Sequence, residues 1–204
     1  MTVNRILIVA FIVFLASVSA SAQVSTLPQN PTLKFAGLDG KVYDLAEQRG
    51  NVVLVSFGAT WCAPCTKELA ALGEVLNEYR GRPVKFFWVS IERPEEISNS
   101  LLKRYAKERK VAFPVLRDDA QMVFSQFTTR VRLPLIVMIG KDGRVDAPVK
   151  FGMQSQVDVY KADIRARLNK LLALPVPSVK AIDGADPKQV VNAVVPIFSQ
   201  KDRD

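Results

Sequence analysis

The chain has 204 residues, 49% of them hydrophobic and 24% charged, with a formal net charge of +8. It holds two cysteines and no histidine, which excludes Ser-His and Cys-His catalysis and every histidine-bearing metal site. The basic residues are spread along the chain without aromatic interleaving or a nucleic-acid motif, so they read as solvated surface and no nucleic-acid partner is expected.

Residues 1–22 read as a secretory signal. Arg5 precedes an apolar run from Ile6 to Val18, and small residues ending in Ala20-Ser21-Ala22 follow. The run is shorter than the roughly 20 residues that a membrane span needs. Cleavage after Ala22 is expected, with Ala20 as the neighbouring choice and an uncleaved N-terminal anchor as the alternative. No cysteine follows the run, which excludes a lipid on cysteine. Removal of Arg5 leaves a mature chain of net charge +7, long enough for one sizeable core and without a further membrane-spanning stretch.

Residues 23–31 form a polar lead-in, and residues 32–174 are expected to fold as one domain. Thr32–Phe35 and Lys41–Tyr43 flank Gly37-Leu38-Asp39-Gly40 and predict a hairpin. Asn51–Phe57 is a near-continuous apolar run, the pattern of a strand buried on both faces, and it ends at Gly58. Leu69, Leu72, Leu76 and Tyr79 recur at helical spacing until Gly81 and Pro83 stop the pattern. Val84–Ile91 reads as a second buried strand. Pro94–Lys110 reads as a helix with Ile97, Leu101, Leu102 and Tyr105 turned inward. Phe113–Leu116 predicts a short extended piece and Asp119–Phe127 a short helix. Leu135–Ile139 and Arg144–Phe151 predict strands joined through Gly140–Gly143. A final helix from about Ser155 to Leu172 places Val157, Ile164, Leu168 and Leu171 inward. That order predicts an α/β domain, a central mixed sheet covered by helices on both faces. Residues 175–204 form a tail that opens at Pro175 and Pro177. Within it Asp186-Pro187-Lys188-Gln189 has a helix-start pattern, with Val190, Val191, Val194 and Val195 on one stripe, expected to pack back on the domain, with a partner-docking or dimerising segment as the alternative.

Both cysteines lie in Trp61-Cys62-Ala63-Pro64-Cys65. A crosslink, a metal site and a redox pair are the readings open to them. A bridge closing so short a loop removes little chain entropy, compared with roughly 3 kcal/mol for a loop of about 15 residues. Cys62 stands where strand gives way to helix, so unpaired amides and the helix dipole favour its thiolate. Cys65 lies one turn on. Cys62 is therefore expected to attack a disulfide, and Cys65 to resolve the mixed disulfide. Pro64 falls in the first turn, where its missing amide costs least. A Cu(I)-binding or metallochaperone module is one alternative, since soft thiolates suit that ion. A thiol peroxidase of the same fold is another, weakened because Ala59 stands where a Thr or Ser would precede the attacking cysteine.

Asp39-Gly40-Lys41, Asn51–Ser56, Ala59–Cys65 with Lys67-Glu68 behind it, Leu133-Pro134 ahead of a strand, and Lys141–Val145 together resemble the thioredoxin superfamily. The closer similarity, from Thr32 to Leu172, is to its exported TlpA/ResA-type thiol-disulfide oxidoreductases. The resemblance implies a thioredoxin-like three-layer sandwich with an N-terminal β-hairpin extension. It implies that Cys62, Cys65, Glu68 and Pro134 carry the chemistry, and that Trp61, Ala63, Pro64 and Leu133 meet the substrate. Pro134 would be a cis proline presenting the backbone of Leu133 to an extended peptide. Glu68 would be the proton partner of the second thiol; spacing alone favours a solvated helix glutamate pairing with a lysine, and the resemblance brings the two readings level. No cofactor or metal is implied. Implied partners are exported proteins with disulfides, apocytochrome c among them, and a membrane electron donor of the DsbD/CcdA kind, for a monomer in the periplasm. Ala63 and Pro64 add no positive charge between the cysteines, which favours a reductase over a strong oxidant. The chain departs from the family pattern at Ser56, where an aspartate is usual, at Gly58, expected to widen the wall beside Trp61, and at Leu135. Val131-Arg132 is a further departure, with Arg132 favouring acidic partners beside the groove.

Overall fold

A computed structural model describes residues 31–176. The signal segment, the lead-in up to Asn30 and the tail from residue 177, including the helix start at Asp186, lie outside the described residues. The elements are β1 (Lys34–Gly37), β2 (Val42–Asp44), β3 (Val52–Gly58), α1 (Ala63–Glu78), β4 (Val84–Ser90), α2 (Asn99–Glu108), β5 (Val115–Arg117), a 3-10 helix (Phe124–Gln126), β6 (Leu135–Ile139), β7 (Val145–Phe151) and α3 (Val157–Ala173). They build one mixed sheet of order β2-β1-β5-β4-β3-β6-β7.

The centre is β3, whose residues are all buried. Its unbroken Val, Leu and Phe content suits a strand packed on both faces. It pairs in parallel with β4 from Val52↔Val84 to Gly58↔Ser90, and antiparallel with β6 from Val53↔Ile139 to Phe57↔Leu135. The predicted hairpin, β1 and β2, joins the sheet edge where Ala36 and Gly37 pair with Arg117 and Leu116 of β5.

Connections decide the layers. The β3-α1-β4 and β4-α2-β5 crossovers are parallel and step the same way across the sheet, so right-handed winding sends both helices to one face. There Val52, Leu54, Phe86, Trp88, Ile136 and Met138 meet Leu69, Leu72 and Val75 of α1, Leu102 of α2, and Tyr160, Ile164 and Leu168 of α3. On the opposite face Val53, Val55, Phe57, Phe87, Val89 and Val137 are covered by Leu33, Leu45, Val123, Phe124 and Phe127. The helical cover on that face is the 3-10 helix, and the chain flanking β1 and β2 supplies the rest. The expected three-layer α/β sandwich is thus present, with its α-helices on one side.

Local boundaries differ from expectation where capping overrides periodicity. The helix predicted over Pro94–Lys110 begins at Asn99, because Ser98 Oγ accepts the Leu101 amide at 3.3 Å. Pro94–Ile97 forms a separate turn, with the Arg93 amide on Glu96 Oε2 at 2.8 Å. Leu101 faces solvent at 43% exposure, and Leu102 and Ala106 are the buried positions. Asp119–Phe127 keeps only the 3-10 turn, because Asp118 takes the amides of Val123 and Phe124 into its carboxylate at 3.2 and 2.7 Å. Val157 is exposed, and Tyr160 takes the inward place. Among the described residues no helix is long and apolar enough to cross a membrane.

The α2 register gives a direct check. Leu102→Ala should cost about 3 kcal/mol, as a fully buried leucine does, and Leu101→Ala less than about 1 kcal/mol. Urea midpoints at unchanged slope measure both.

Candidate active site at the head of the first long helix

After β3 the chain turns through Ala59-Thr60-Trp61, and the Cys62 amide closes the turn on the Ala59 carbonyl at 3.1 Å. Cys62 is the N-cap of α1, extended in backbone, and its Sγ accepts the Cys65 amide at 3.2 Å. Sulfur thus takes the place that Ser or Asp oxygen fills at most helix starts. The two cysteines form a disulfide with Cα atoms 5.2 Å apart. Cys65 is fully buried and Cys62 is 5% exposed, so in this oxidised form the cysteine expected to attack is itself largely covered. What stands open is the rim: Trp61, 66% exposed, with Ala63 and Pro64.

Leu133 packs against Ala59, Cys62 and Cys65, which brings that predicted residue to the bridge. The Leu133–Pro134 bond is cis, and Pro134 is buried. Arg132 lies over the Phe151 ring, 4.7 Å from its centroid. Gly58 does not widen the wall beside Trp61. Its missing side chain faces Trp88 and Cys65, and the space is occupied by the Trp88 indole.

Glu68 is three residues after Cys65 on the same face of α1, and it is completely buried. The solvated reading of this glutamate therefore fails. Ser56 of β3 donates its hydroxyl to Oε2 at 2.6 Å, and Tyr160 of α3 donates to Oε1 at 2.6 Å. Loss of water raises the carboxyl from 4.5 to about 7; the two hydroxyls and the charge of Lys150 pull the other way without overcoming it. Tyr160 is pushed far above the ordinary phenol range, first by burial, then by the Glu68 charge and hydrogen bond. Lys150 sits over the Tyr160 ring and pairs with Asp163.

Two contributors escaped the sequence reading. Tyr160 passed as one more helix residue. Glu92 follows the apolar run of β4 and reads as a loop charge, yet it is buried. It accepts the Thr60 amide and hydroxyl at 2.8 and 2.6 Å and the Ser90 hydroxyl at 3.0 Å. That clamp holds the turn on which Trp61 and Cys62 sit. Among the described residues no group of three or more His, Cys, Asp or Glu side chains converges to hold a metal ion.

A family model described as the AhpC/TSA family matches residues 28–147. The thiol-disulfide oxidoreductase ResA of Bacillus cereus is 25% identical over 142 residues, covering 70% of this chain and 79% of that relative. The ResA of Bacillus thuringiensis subsp. konkukian is 28% identical over 120 residues, 59% of this chain and 66% of the relative. Among solved structures, a thiol:disulfide interchange protein of the thioredoxin family from Chlorobium tepidum superposes with a TM-score of 0.56 at 23% identity. It covers 72% of this chain and 99% of its own, which supports the thioredoxin-like fold.

Burial of Glu68 has a consequence for stability. Its folded carboxyl holds a proton more tightly than an unfolded glutamate at 4.5. Stability from this group is therefore complete below pH 4.5 and is lost as pH rises through about 7. For the oxidised protein the loss should be on the order of 3 kcal/mol, and Glu68→Gln should flatten it. Urea unfolding at pH 5 and pH 8 measures both.

Proposed function

We propose that this chain, which belongs to the AhpC/TSA family and is a thiol-disulfide oxidoreductase of the thioredoxin superfamily, works outside the cytosol as a reductase of disulfides in other exported proteins. The observation that carries the reading is the Cys62–Cys65 bridge at the first turn of α1 with the buried, hydroxyl-held Glu68 behind it. An ordinary structural crosslink has no use for a carboxyl buried at that cost.

The cycle runs from the reduced pair. The Cys62 thiolate attacks one sulfur of a client disulfide, the client S–S bond breaks, and the departing sulfur takes a proton. Cys62 is then joined to the client. Cys65 gives its proton to the Glu68 group and attacks Cys62 Sγ. The second client sulfur leaves, and the bridge of this structure forms. Two electrons have passed from the protein to the client. A carboxyl near 7 is about half ionised at neutral pH, so it can accept that proton and return it later.

The rim supports a peptide client. Trp61, Ala63 and Pro64 offer an exposed apolar lip, and Leu133 ahead of Pro134 borders the pair on its other side. An extended peptide would lay its backbone along Leu133, as a strand adds to an edge. Export follows from the signal reading of residues 1–22, with residues 23–31 as a lead-in to a monomeric domain over 32–174. In the periplasm the pair would be re-reduced by a membrane donor of the DsbD/CcdA kind, and apocytochrome c with an oxidised haem-attachment pair is the candidate client. Ala63 and Pro64 lend no charge to the Cys62 thiolate, which keeps the bridge from being a strong oxidant.

Two variants test the division of labour. Cys65→Ser should accumulate clients as mixed disulfides on Cys62, seen on non-reducing gels and by mass, while Cys62→Ser should accumulate none. Equal capture by both would reverse or remove the assignment. Glu68→Gln should slow resolution of the mixed disulfide at least about ten-fold at pH 7 and leave its formation nearly unchanged, by rapid quench with a peptide disulfide.

A further inference from the structure

Among the described residues, Trp88 Nε1 is the buried side-chain nitrogen without a hydrogen-bond partner. The residue is completely buried, and a buried donor left unpaired costs roughly 1–3 kcal/mol. Phenylalanine would fill much of the same volume without that cost. The position of the donor explains its presence.

Trp88 stands on β4 opposite Ser56 of β3, two residues before the Gly58↔Ser90 pair. A Cβ placed on Gly58 would lie 2.6 Å from Trp88 Nε1 and 3.4 Å from Cys65 Sγ. Nitrogen and sulfur therefore border the same point, and no side chain at residue 58 stands between them. The space beside residue 58 is filled from the neighbouring strand by the Trp88 indole. Tyr105 stacks on the indole at 5.6 Å between centroids and holds its plane. The other polar groups on this side are engaged: each Glu68 oxygen takes a hydroxyl, from Ser56 and from Tyr160, and the Tyr105 hydroxyl pairs with Thr66 Oγ1 at 2.8 Å. What remains beside the N–H is sulfur 65, a poor acceptor in a disulfide and a strong one as a thiolate.

We propose that the Trp88 indole N–H is the hydrogen-bond donor to the Cys65 sulfur when the bridge is open. This rests on the redox reading above. When an external dithiol recharges the protein, its thiolate attacks Cys62 Sγ, the Cys62–Cys65 bond breaks, and Cys65 leaves as a thiolate carrying the bonding pair. The donor meets it there. The second thiol of the dithiol, having lost its proton, then displaces Cys62, and the reagent departs as a cyclic disulfide with two electrons transferred to the protein. The reverse passage, Cys65 thiolate attacking a mixed disulfide, runs through the same sulfur. Trp88 thereby favours the reduced pair over the bridge.

The test uses the full chain and dithiothreitol or glutathione as the probe. Trp88→Phe, which removes the N–H and keeps a ring, should shift the thiol-disulfide equilibrium with glutathione about ten-fold toward the bridge. In the parent protein, Trp61 and Trp88 give the indole N–H resonances, since the chain has two tryptophans. The Trp88 signal should move downfield on reduction, as a hydrogen bond to sulfur forms. This second measurement decides the matter if Trp88→Phe does not fold. A Trp88 resonance unmoved between the two forms, or a folded Trp88→Phe chain with the parent equilibrium, would overturn the inference and leave the redox reading standing. A bridge that dithiothreitol cannot open overturns both.

Discussion

The structure depends on a single constraint: β3 must be dry on both faces for its whole length and must stop at a residue without a side chain. Its parallel pairing with β4 and antiparallel pairing with β6 place it at the middle of the sheet. One face of the strand carries Val52, Leu54 and then Ser56, so the apolar layer turns polar one step before the strand ends. Ser56 is where Glu68 finds a hydroxyl, and Gly58 is where Trp88 and Cys65 find room. The chain then passes into α1 with sulfur at its cap. Chemistry and packing thus share one strand end, and moving the register by a residue would point every one of these groups to the wrong face.

Beneath the bridge, opposing electrostatic effects are balanced. Burial raises the Glu68 carboxyl, and the hydroxyls of Ser56 and Tyr160 together with the Lys150 charge restrain the rise. The outcome near neutrality suits the proposed role, in which Glu68 takes a proton and gives it back. A fully apolar residue at 68 would serve the core better, and the proton role proposed for Glu68 gives the site a reason to hold a destabilising group. The Glu92 clamp on Thr60 has a related character: a buried carboxylate tied to a backbone amide and two hydroxyls, holding the turn before Cys62 instead of adding to the core. Together the two carboxylates fix the cysteine pair from the helix side and from the loop side.

How far the sequence disclosed this follows from the range of the forces involved. Continuous apolar runs announce buried strands, and β3, β4 and β6 appear where Asn51–Phe57, Val84–Ile91 and Leu135–Ile139 place them. The cysteine pair was legible because its spacing and setting are local. Helix starts were less so: Ser98 ends the Pro94 turn through one side-chain hydrogen bond that the charge pattern of the segment hides. Glu68 was ambiguous because i to i+3 spacing puts it beside Cys65 without saying whether water reaches it. Its burial depends on Tyr160, 92 residues away, and on the sheet. Trp88 and Glu92 were missed for the same reason. Each acquires its meaning from a partner on another strand or loop, and periodicity along one segment carries no information about such pairs. Gly58 was noticed as an oddity, and only the neighbouring strand shows what fills the space.

The central claim is that the two sulfurs exchange bonds and that sulfur 62 acts on the outside while sulfur 65 acts from within. Alkylation of the reduced, folded protein with iodoacetamide at neutral pH, followed by peptide mass mapping over time, tests it most directly. The account predicts rapid modification of Cys62 alone, with Cys65 protected until the chain is unfolded. Equal labelling of both cysteines, labelling of Cys65 first, or no labelling before denaturation would contradict it.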